Sequence, residues 1–130
     1  MTELSRITLD DLMVEAAPYC HAVDDGQLVF LAGQLAQDDP AWRGKSGSIE
    51  EETTAAMALL GRVLERLGLG FGDVVRVGVF MTDLGDFTRM NAVYQSFFPD
   101  GLYPARTCVG VAALLSGAKI EIDCVARRRT

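Results

Sequence analysis

The chain has 130 residues, of which 12 are Lys or Arg and 18 are Asp or Glu, so its formal net charge at pH 7 is −6. This acidic balance argues against binding to nucleic acid or to an anionic membrane, because phosphate groups are bound by Lys and Arg. The composition, 49% hydrophobic and 23% charged, is typical of a globular protein and predicts one domain over residues 1–130 that needs neither a disulfide nor a metal to fold.

The N-terminal segment lacks the basic and apolar stretches of a signal peptide. No part of the chain approaches the roughly 20 apolar residues of a transmembrane helix. Three cysteines, Cys20, Cys108 and Cys124, lie far apart in the sequence. Because their number is odd and no export signal accompanies them, we expect reduced thiols and a cytoplasmic location.

A β-hairpin is predicted near the start of the chain. Residues 20–23 and 28–32 form its arms, and the intervening Asp24-Asp25-Gly26 has turn chemistry, since Asp tolerates and Gly favours positive φ. The polar residues 35–48, with their Pro and Gly, predict a loop. The acidic pair Asp38-Asp39 in this loop is interpreted as turn residues.

A long helix should follow this loop. Ser48 and Glu51 have the spacing of a capping box, in which each side chain satisfies a free backbone amide of the first turn. Gly68 is a natural helix terminator. Apolar residues recur between them at helical spacing, namely Ala56, Leu60, Val63, Leu64 and Leu67.

The second half of the chain predicts a strand, a helix and two more strands. Residues 74–82 are β-branched and aromatic, as in a buried strand. A second helix should begin at an Asp86 cap and continue through Phe98. Residues 106–112 and 119–126 are the last two predicted strands.

The resulting element order is ββαβαββ, which predicts an α+β two-layer sandwich with a mostly antiparallel sheet and both helices on one face. The strands carry more apolar residues than a solvated second face needs. Oligomerisation is the simplest way to cover that face.

Charged residues within the last two strands are candidates for a site. Side chains alternate between the two faces of a strand. Arg106 and Val109 are therefore on different faces of one strand, and Glu121 and Ile122 are on different faces of the next. If Val109 and Ile122 face the core, Arg106 and Glu121 project together from the other side. Two interpretations of these charged residues are then open. Arg106 and Glu121 form a cross-strand salt bridge, or they form a site in which the arginine binds a carboxylate and the glutamate orients water.

His21 is the only histidine, so a histidine-based zinc site or catalytic triad depends on it alone. Neither a G-x-S-x-G elbow nor a Cys-x-x-Cys pair accompanies it. We therefore interpret His21 as a strand-surface residue. Cys20 and Trp42 have no role that the sequence assigns.

Short motifs in a fixed order make the chain recognisable. Together they resemble the RidA/YjgF family of reactive-intermediate deaminases, from about Pro18 to the C-terminus. The most specific are the P-A-R-[ST]-x-V and [VI]-E-I segments. The motifs are Pro18-Tyr19, Gly33-Gln34, Val79-Phe80, Asp86-Phe87, Asn91-x-x-Tyr94, Phe97-Phe98, Pro104-Ala105-Arg106-Thr107-Cys108-Val109 and Ile120-Glu121-Ile122.

The resemblance implies a chorismate-mutase-like fold and a homotrimer with clefts between subunits. It also implies a hydrolase that acts on C=N bonds without a cofactor or metal. Its substrates would be carboxylate-bearing enamines and imines of the 2-aminoacrylate and 2-iminobutanoate type. Hydrolysis would convert them to a 2-keto acid and ammonia. The expected cytoplasmic role is control of damage by these metabolites.

Residue roles follow from the same resemblance. Arg106 matches the arginine that binds the substrate carboxylate, and Glu121 matches the glutamate that positions the attacking water. Tyr19 matches the tyrosine that lines the cleft. Cys108 matches the residue after [ST] in the arginine motif, a substrate-binding position at which the backbone is expected to matter as much as the thiol. Asn91 matches an asparagine of the second helix, for which a structural role is expected.

The sequence departs from the family around the expected cleft. Cys20-His21 follows Tyr19 where Ser-Gln is common, and Ala32 stands where Ser usually precedes the Gly-Gln pair. These changes leave the physiological substrate open. Two other functions also stay open. One is a non-catalytic module that binds or senses carboxylate metabolites in the same cleft, and the other is a ribonuclease or translation inhibitor, against which the acidic balance argues.

Overall fold

The computed structural model describes residues 3–12 and 17–129, so residues 1–2, 13–16 and 130 of the predicted domain lie outside it. Within this part of the chain, six strands form one sheet in the order β1-β2-β3-β6-β4-β5. Only the β4–β5 pair is parallel, so the predicted mostly antiparallel α+β class is confirmed. The elements are β1 (Ser5–Ile7), β2 (Ala22–Asp24), β3 (Leu28–Gln34), α1 (Ile49–Arg66), β4 (Val74–Met81), α2 (Phe87–Tyr94), β5 (Ala105–Gly110) and β6 (Ile120–Arg127).

β1 is not predicted from the sequence, and α2 is shorter than predicted. β1 pairs antiparallel with β2, but its three residues are too few to show a strand period. α2 ends at Tyr94, and the chain continues as a 3₁₀ turn, Gln95–Phe97. Asp86 is the N-cap residue by position, yet its side chain caps no amide and instead pairs with Arg89.

The predicted start of α1 is confirmed in both halves of its capping box. Ser48 Oγ accepts from the Glu51 amide at 3.1 Å, and the Ser48 amide donates to Glu51 Oε1 at 2.9 Å. After the helix, Gly68 has a φ of 74°, which a residue with a Cβ rarely adopts. Although α1 has 18 residues, none of the described helices is long and apolar enough to cross a membrane.

The hydrophobic core lies between the two helices and one face of the sheet. Ile120, Ile122 and Cys124 alternate along β6 toward this core, and α1 contributes a buried stripe that includes Leu60 and Leu64. The opposite sheet face carries no helix of the described chain. The prediction that both helices cover one face is therefore confirmed.

A buried carboxylate fixes the segment that leads into β6. Glu52 in the first turn of α1 is fully buried, and its Oε1 accepts from the Lys119 amide at 2.9 Å. Its Oε2 accepts from the Gly47 amide at 3.1 Å and lies 3.6 Å from Lys119 Nζ. These contacts join the start of α1 to the residue that precedes β6, two residues before Glu121.

Candidate functional site

Arg106 lies on the helix side of the sheet, contrary to the expected arrangement. In the parallel β4–β5 register, Arg106 is beside Val77 and Cys108 is beside Val79. Because neighbouring residues in register share a face and both valines are buried in the core, Arg106 and Cys108 point toward the helices. Val109 points the other way and is 40% exposed, so the expectation that it faces the core is wrong.

Three side chains of α2 hold the Arg106 guanidinium. Its Nη1 donates to Asn91 Oδ1 at 2.7 Å. Its central carbon lies 4.7 Å from the ring centre of Tyr94 and 5.5 Å from that of Phe87, within the range of cation–π attraction. Since the hydrogen bond to Asn91 uses one of five guanidinium donors, the rest remain for a ligand.

A cleft of about 460 Å³ opens beside this guanidinium. The Tyr94 hydroxyl is buried and has no hydrogen-bond partner among the described residues. Burial raises the pKa of Tyr94 to about 12, against a smaller lowering by Arg106, so the hydroxyl stays protonated at neutral pH. The charged donors that this cleft offers to an anion are those of the Arg106 guanidinium. The cleft is lined by Asn91, Tyr94, Gln95, Tyr103, Pro104 and Arg106.

Cys108 lies deeper on the same face of β5. Its half-buried Sγ is 3.7 Å from Met81 Sδ and packs against the core. Burial raises the pKa of the thiol, and the charge of Arg106 lowers it by less. The side chain is therefore a neutral thiol at pH 7 and a poor nucleophile.

Glu121 lies on the opposite, helix-free face of the sheet. It alternates along β6 with the fully buried Ile120 and Ile122 and is paired in register with Phe80. Its carboxylate lies against the backbone of β3, where a Cβ added to Gly33 would be only 2.5 Å from Glu121 Oε2. Glycine at this position therefore makes room for the carboxylate.

The Glu121 carboxylate has surroundings that disfavour its charge. Burial raises its pKa, and the charges of Asp38 and Asp123 raise it further. Burial followed by the charges of Asp38 and Glu121 also raises the pKa of Tyr19. No side-chain hydrogen bond to Glu121 occurs within residues 3–12 and 17–129. The adjoining pocket, of about 270 Å³, is lined by Tyr19, Ala32, Gly33, Leu35, Asp38, Leu115 and Glu121.

The four predicted site residues thus form two pairs rather than one cluster. Arg106 and Cys108 lie on the helix side, whereas Tyr19 and Glu121 meet at the second pocket. Arg106 and Glu121 are on opposite faces of the same sheet. Their cross-strand salt bridge, expected as one explanation of both charges, does not form in the described chain.

His21 is buried rather than on the strand surface. It is 1% exposed, and its Nδ1 accepts from the Leu9 amide at 2.8 Å. The His21 amide also donates to the Ile7 carbonyl at 2.8 Å, so the unpredicted β1 segment explains the burial. The His21 ring packs edge-on against the Tyr19 ring, with ring centres 6.1 Å apart, and so helps to hold the Tyr19 side chain in place.

Two further residues lie at the candidate site, Asp38 and Asn91, for which the sequence predicts only a turn role and a structural role. Asp38 has the predicted turn role, since its Oδ2 accepts from the Leu35 amide at 2.9 Å, but it also lines the Glu121 pocket. Asn91 is the direct partner of Arg106 across 15 positions of sequence. The N-x-x-Y spacing of Asn91 and Tyr94 is one turn of a helix, which places both on the face that meets Arg106.

Comparison with known proteins places this chain in a family. The family model described as "Endoribonuclease L-PSP" matches residues 11–128. This match covers most of the chain, which therefore belongs to that family, also called RidA/YjgF.

Several relatives are similar over nearly their whole length. "Protein DfrA" of Myxococcus xanthus is 43% identical over 84% of this chain and 84% of its own. The "2-iminobutanoate/2-iminopropanoate deaminase" of Salmonella typhimurium is 36% identical over 95% and 97%. The crystal structure of E. coli TdcF with bound serine has a TM-score of 0.86 at 31% identity, covering 96% of this chain and 99% of that one.

Proposed function

We propose that this family member is a hydrolytic deaminase of small 2-imino acids and their enamine tautomers, with active sites shared between the subunits of a homotrimer. The observation that carries the proposal is the division of the site. A guanidinium suited to a carboxylate is fixed on one sheet face, and a desolvated carboxylate lies on the other. Support also comes from relatives that are named 2-iminobutanoate/2-iminopropanoate deaminases.

The helix-free sheet face supports assembly. Phe30 is 46% and Val109 40% exposed on it, and Phe80 is partly exposed between them. Apolar side chains of this size in one sheet face favour a covering partner. In a cyclic trimer each subunit uses two different surfaces, so the Arg106 cleft of one subunit can meet the Glu121 pocket of the next.

Each residue then has a distinct task in hydrolysis. Arg106 binds the substrate carboxylate with two parallel N–H donors, in an orientation held by Asn91, Tyr94 and Phe87. Glu121 accepts a hydrogen bond from water and directs its oxygen at the imine carbon. Tyr19 lies beside this water, and the neutral Cys108 closes the cleft beneath Arg106.

The proton transfers can be carried by Glu121 alone. Water oxygen bonds to the imine carbon while Glu121 accepts a water proton and returns it to nitrogen, which gives a carbinolamine. Glu121 then moves the hydroxyl proton to the same nitrogen. The carbon–nitrogen bond breaks, its electron pair leaves with ammonia, and the 2-keto acid remains. Because imines react readily with water, orientation supplies much of the acceleration.

A second candidate is a carboxylate-binding or sensing module without catalysis. A binding module is favoured because a single chain completes the Arg106 cleft. Glu121, in contrast, has no hydrogen-bond partner among the described residues. The two functions differ in turnover. Threonine dehydratase supplies 2-iminobutanoate, and adding this protein should accelerate the appearance of 2-ketobutanoate. Binding without acceleration would favour the module.

Mixed trimers test whether the site is shared. Arg106→Met keeps a stem over the aromatic rings but removes every donor, and Glu121→Gln removes the carboxylate charge. Each variant alone should be nearly inactive. In a mixed trimer, one of the three interfaces receives native Arg106 from one subunit and native Glu121 from the next.

Co-refolding equal amounts of the two variants should therefore restore activity at about a quarter of all sites, the share expected for random mixing in a cyclic trimer. Light scattering and mass spectrometry would verify the mixed species. Verified mixed trimers without recovered activity would contradict a shared site. A monomer at micromolar concentration would contradict it as well.

A further inference from the structure

Leu115 is an apolar side chain that the described chain leaves almost entirely in solvent. It is 81% exposed and begins the turn Leu115–Gly117 that precedes β6. Ser116 in this turn has a φ of 59°, an uncommon conformation for a residue with a Cβ. The hydrogen bond from the Ala118 amide to the Leu115 carbonyl, 3.1 Å, closes the turn, so the exposed leucine is held in a defined place.

That place is the rim of the Glu121 pocket. Leu115 lines this pocket and also the adjoining groove that contains Tyr19 and Asp38. The turn that carries Leu115 is fixed at its C-terminal end, because the Lys119 amide donates to the fully buried Glu52. Leu115 is therefore positioned to contact whatever occupies the space beside Glu121.

The walls of the pocket have a clear chemical character. Ala32, the buried Leu35 and Leu115 are aliphatic, and the Tyr19 ring adds an aromatic wall. The charged groups that line the pocket are the carboxylates of Glu121 and Asp38. Such a space favours apolar groups and repels anionic ones, and the repulsion is strong because the carboxylates are partly desolvated.

We infer that Leu115 is a specificity-determining residue that receives the substrate side chain and selects 2-imino acids with uncharged apolar side chains larger than methyl. This inference rests on the proposed function. With the carboxylate at Arg106 and the imine carbon at the water held by Glu121, the remaining substituent of that carbon is directed along the Glu121 pocket. Leu115 and Ala32 then contact it, while Asp38 disfavours a second carboxylate.

A panel of imines tests this assignment. L-amino-acid oxidase with catalase generates the imines of alanine, leucine, phenylalanine and glutamate, and competition with semicarbazide trapping reports how fast the protein consumes each. The native protein should have a higher kcat/KM for the leucine and phenylalanine imines than for the alanine imine. The glutamate imine should be the poorest substrate.

Leu115→Ser should lower kcat/KM for the leucine and phenylalanine imines about tenfold, the lower end of the range for a methylene-sized change in a hydrophobic pocket, because Leu115 forms only one wall. The alanine imine should change less than twofold. Leu115→Lys should instead improve the relative rate for the glutamate imine, an effect that a structural role of Leu115 does not produce. Leu4→Ser is the matched control, since Leu4 is 51% exposed and lines neither pocket of the site.

The outcomes separate this inference from the function on which it rests. A folded, trimeric Leu115→Ser protein with unchanged ratios among the imines would overturn the specificity role and leave the deaminase proposal intact. Equal changes in Leu4→Ser would overturn it too. A native protein that consumes none of the imines would overturn both.

Discussion

Arg106 and Glu121 stand in opposite kinds of surroundings. One chain supplies the guanidinium with an amide partner and two aromatic rings on α2. The same chain gives Glu121 burial and two neighbouring negative charges, which raise its pKa. In the proposed function, the carboxylate-binding group is therefore organised by one chain alone. Glu121, which the proposal assigns to the chemistry, is held where its charge is disfavoured. A bound substrate or a second subunit could relieve this by supplying a hydrogen-bond donor or a positive charge.

The sharpest test of this contrast is Glu121→Gln. The change keeps the shape and one acceptor oxygen but removes the charge, so turnover should fall by about 10²- to 10⁴-fold, the range of a general-base contribution. Affinity for a carboxylate ligand at Arg106 should be retained. Calorimetry measures the affinity and keto-acid production measures the turnover, both on the same folded protein. Retained turnover would remove Glu121 from the mechanism.

A matched pair of glycine substitutions tests whether the position of Glu121 matters. Gly33→Ala places a Cβ 2.5 Å from Glu121 Oε2, and Gly78→Ala places one 2.4 Å from Asp123 Oδ1. Each displaces a carboxylate of β6, but only Glu121 has a role in the proposed hydrolysis. Gly33→Ala should lower kcat about 10²-fold, as expected for a misplacement of about 1 Å. If both variants lose the same activity at equal thermal stability, the effect is on the sheet and not on Glu121.

Arg106→Lys tests the Arg106 cleft, where the guanidinium is held by Asn91 and two aromatic rings. Lysine keeps the charge but loses the planar fork and its stacking on Tyr94 and Phe87. One hydrogen bond to a charged group contributes about 1.5–3 kcal/mol, so kcat/KM should fall about 10- to 100-fold, mainly through KM. Steady-state kinetics on 2-iminobutanoate measure the change. Native kinetics in a folded trimer would contradict the carboxylate-binding role.

The smallest expected effect concerns pH. Burial, then Asp38 and Asp123, raise the pKa of Glu121 above its ordinary 4.5, so activity that needs its carboxylate should decline as pH falls through this raised value. Asp38→Asn removes one negative charge while its side-chain oxygen can still accept from the Leu35 amide. The pKa of Glu121 should fall, and the acid limb of the kcat profile should move to lower pH. A limb that stays in place, or moves upward, would show that Asp38 does not act on Glu121.

Much of the fold follows from local sequence, whereas the division of the site does not. The Ser48–Glu51 capping box and the apolar stripe of α1 are local patterns and were predicted correctly. β5 is different, because it is an edge strand whose alternate positions carry similar apolar character on both faces. Periodicity therefore could not orient Arg106, and its packing on Tyr94 and Asn91 depends on where α2 lies in space.

The error at His21 has a related cause. Its burial depends on Ile7 and Leu9, whose backbone contacts reach across more than ten residues. β1 is too short to be read from periodicity. The family resemblance supplied the identities of Arg106 and Glu121 but not the faces on which they lie.

The place of β6 in the sheet has a consequence for biosynthesis. β6 follows every other strand in the chain, yet it lies between β3 and β4. A nascent chain that has emerged only as far as β5 can form the β1–β2–β3 ladder and the β4–β5 ladder, but no strand joins them. The open edges of β3 and β4 then resemble templates for pairing with other chains. The sheet can therefore be completed only after residues 120–127 leave the ribosome, and until then these two strand edges are open to pairing with other chains.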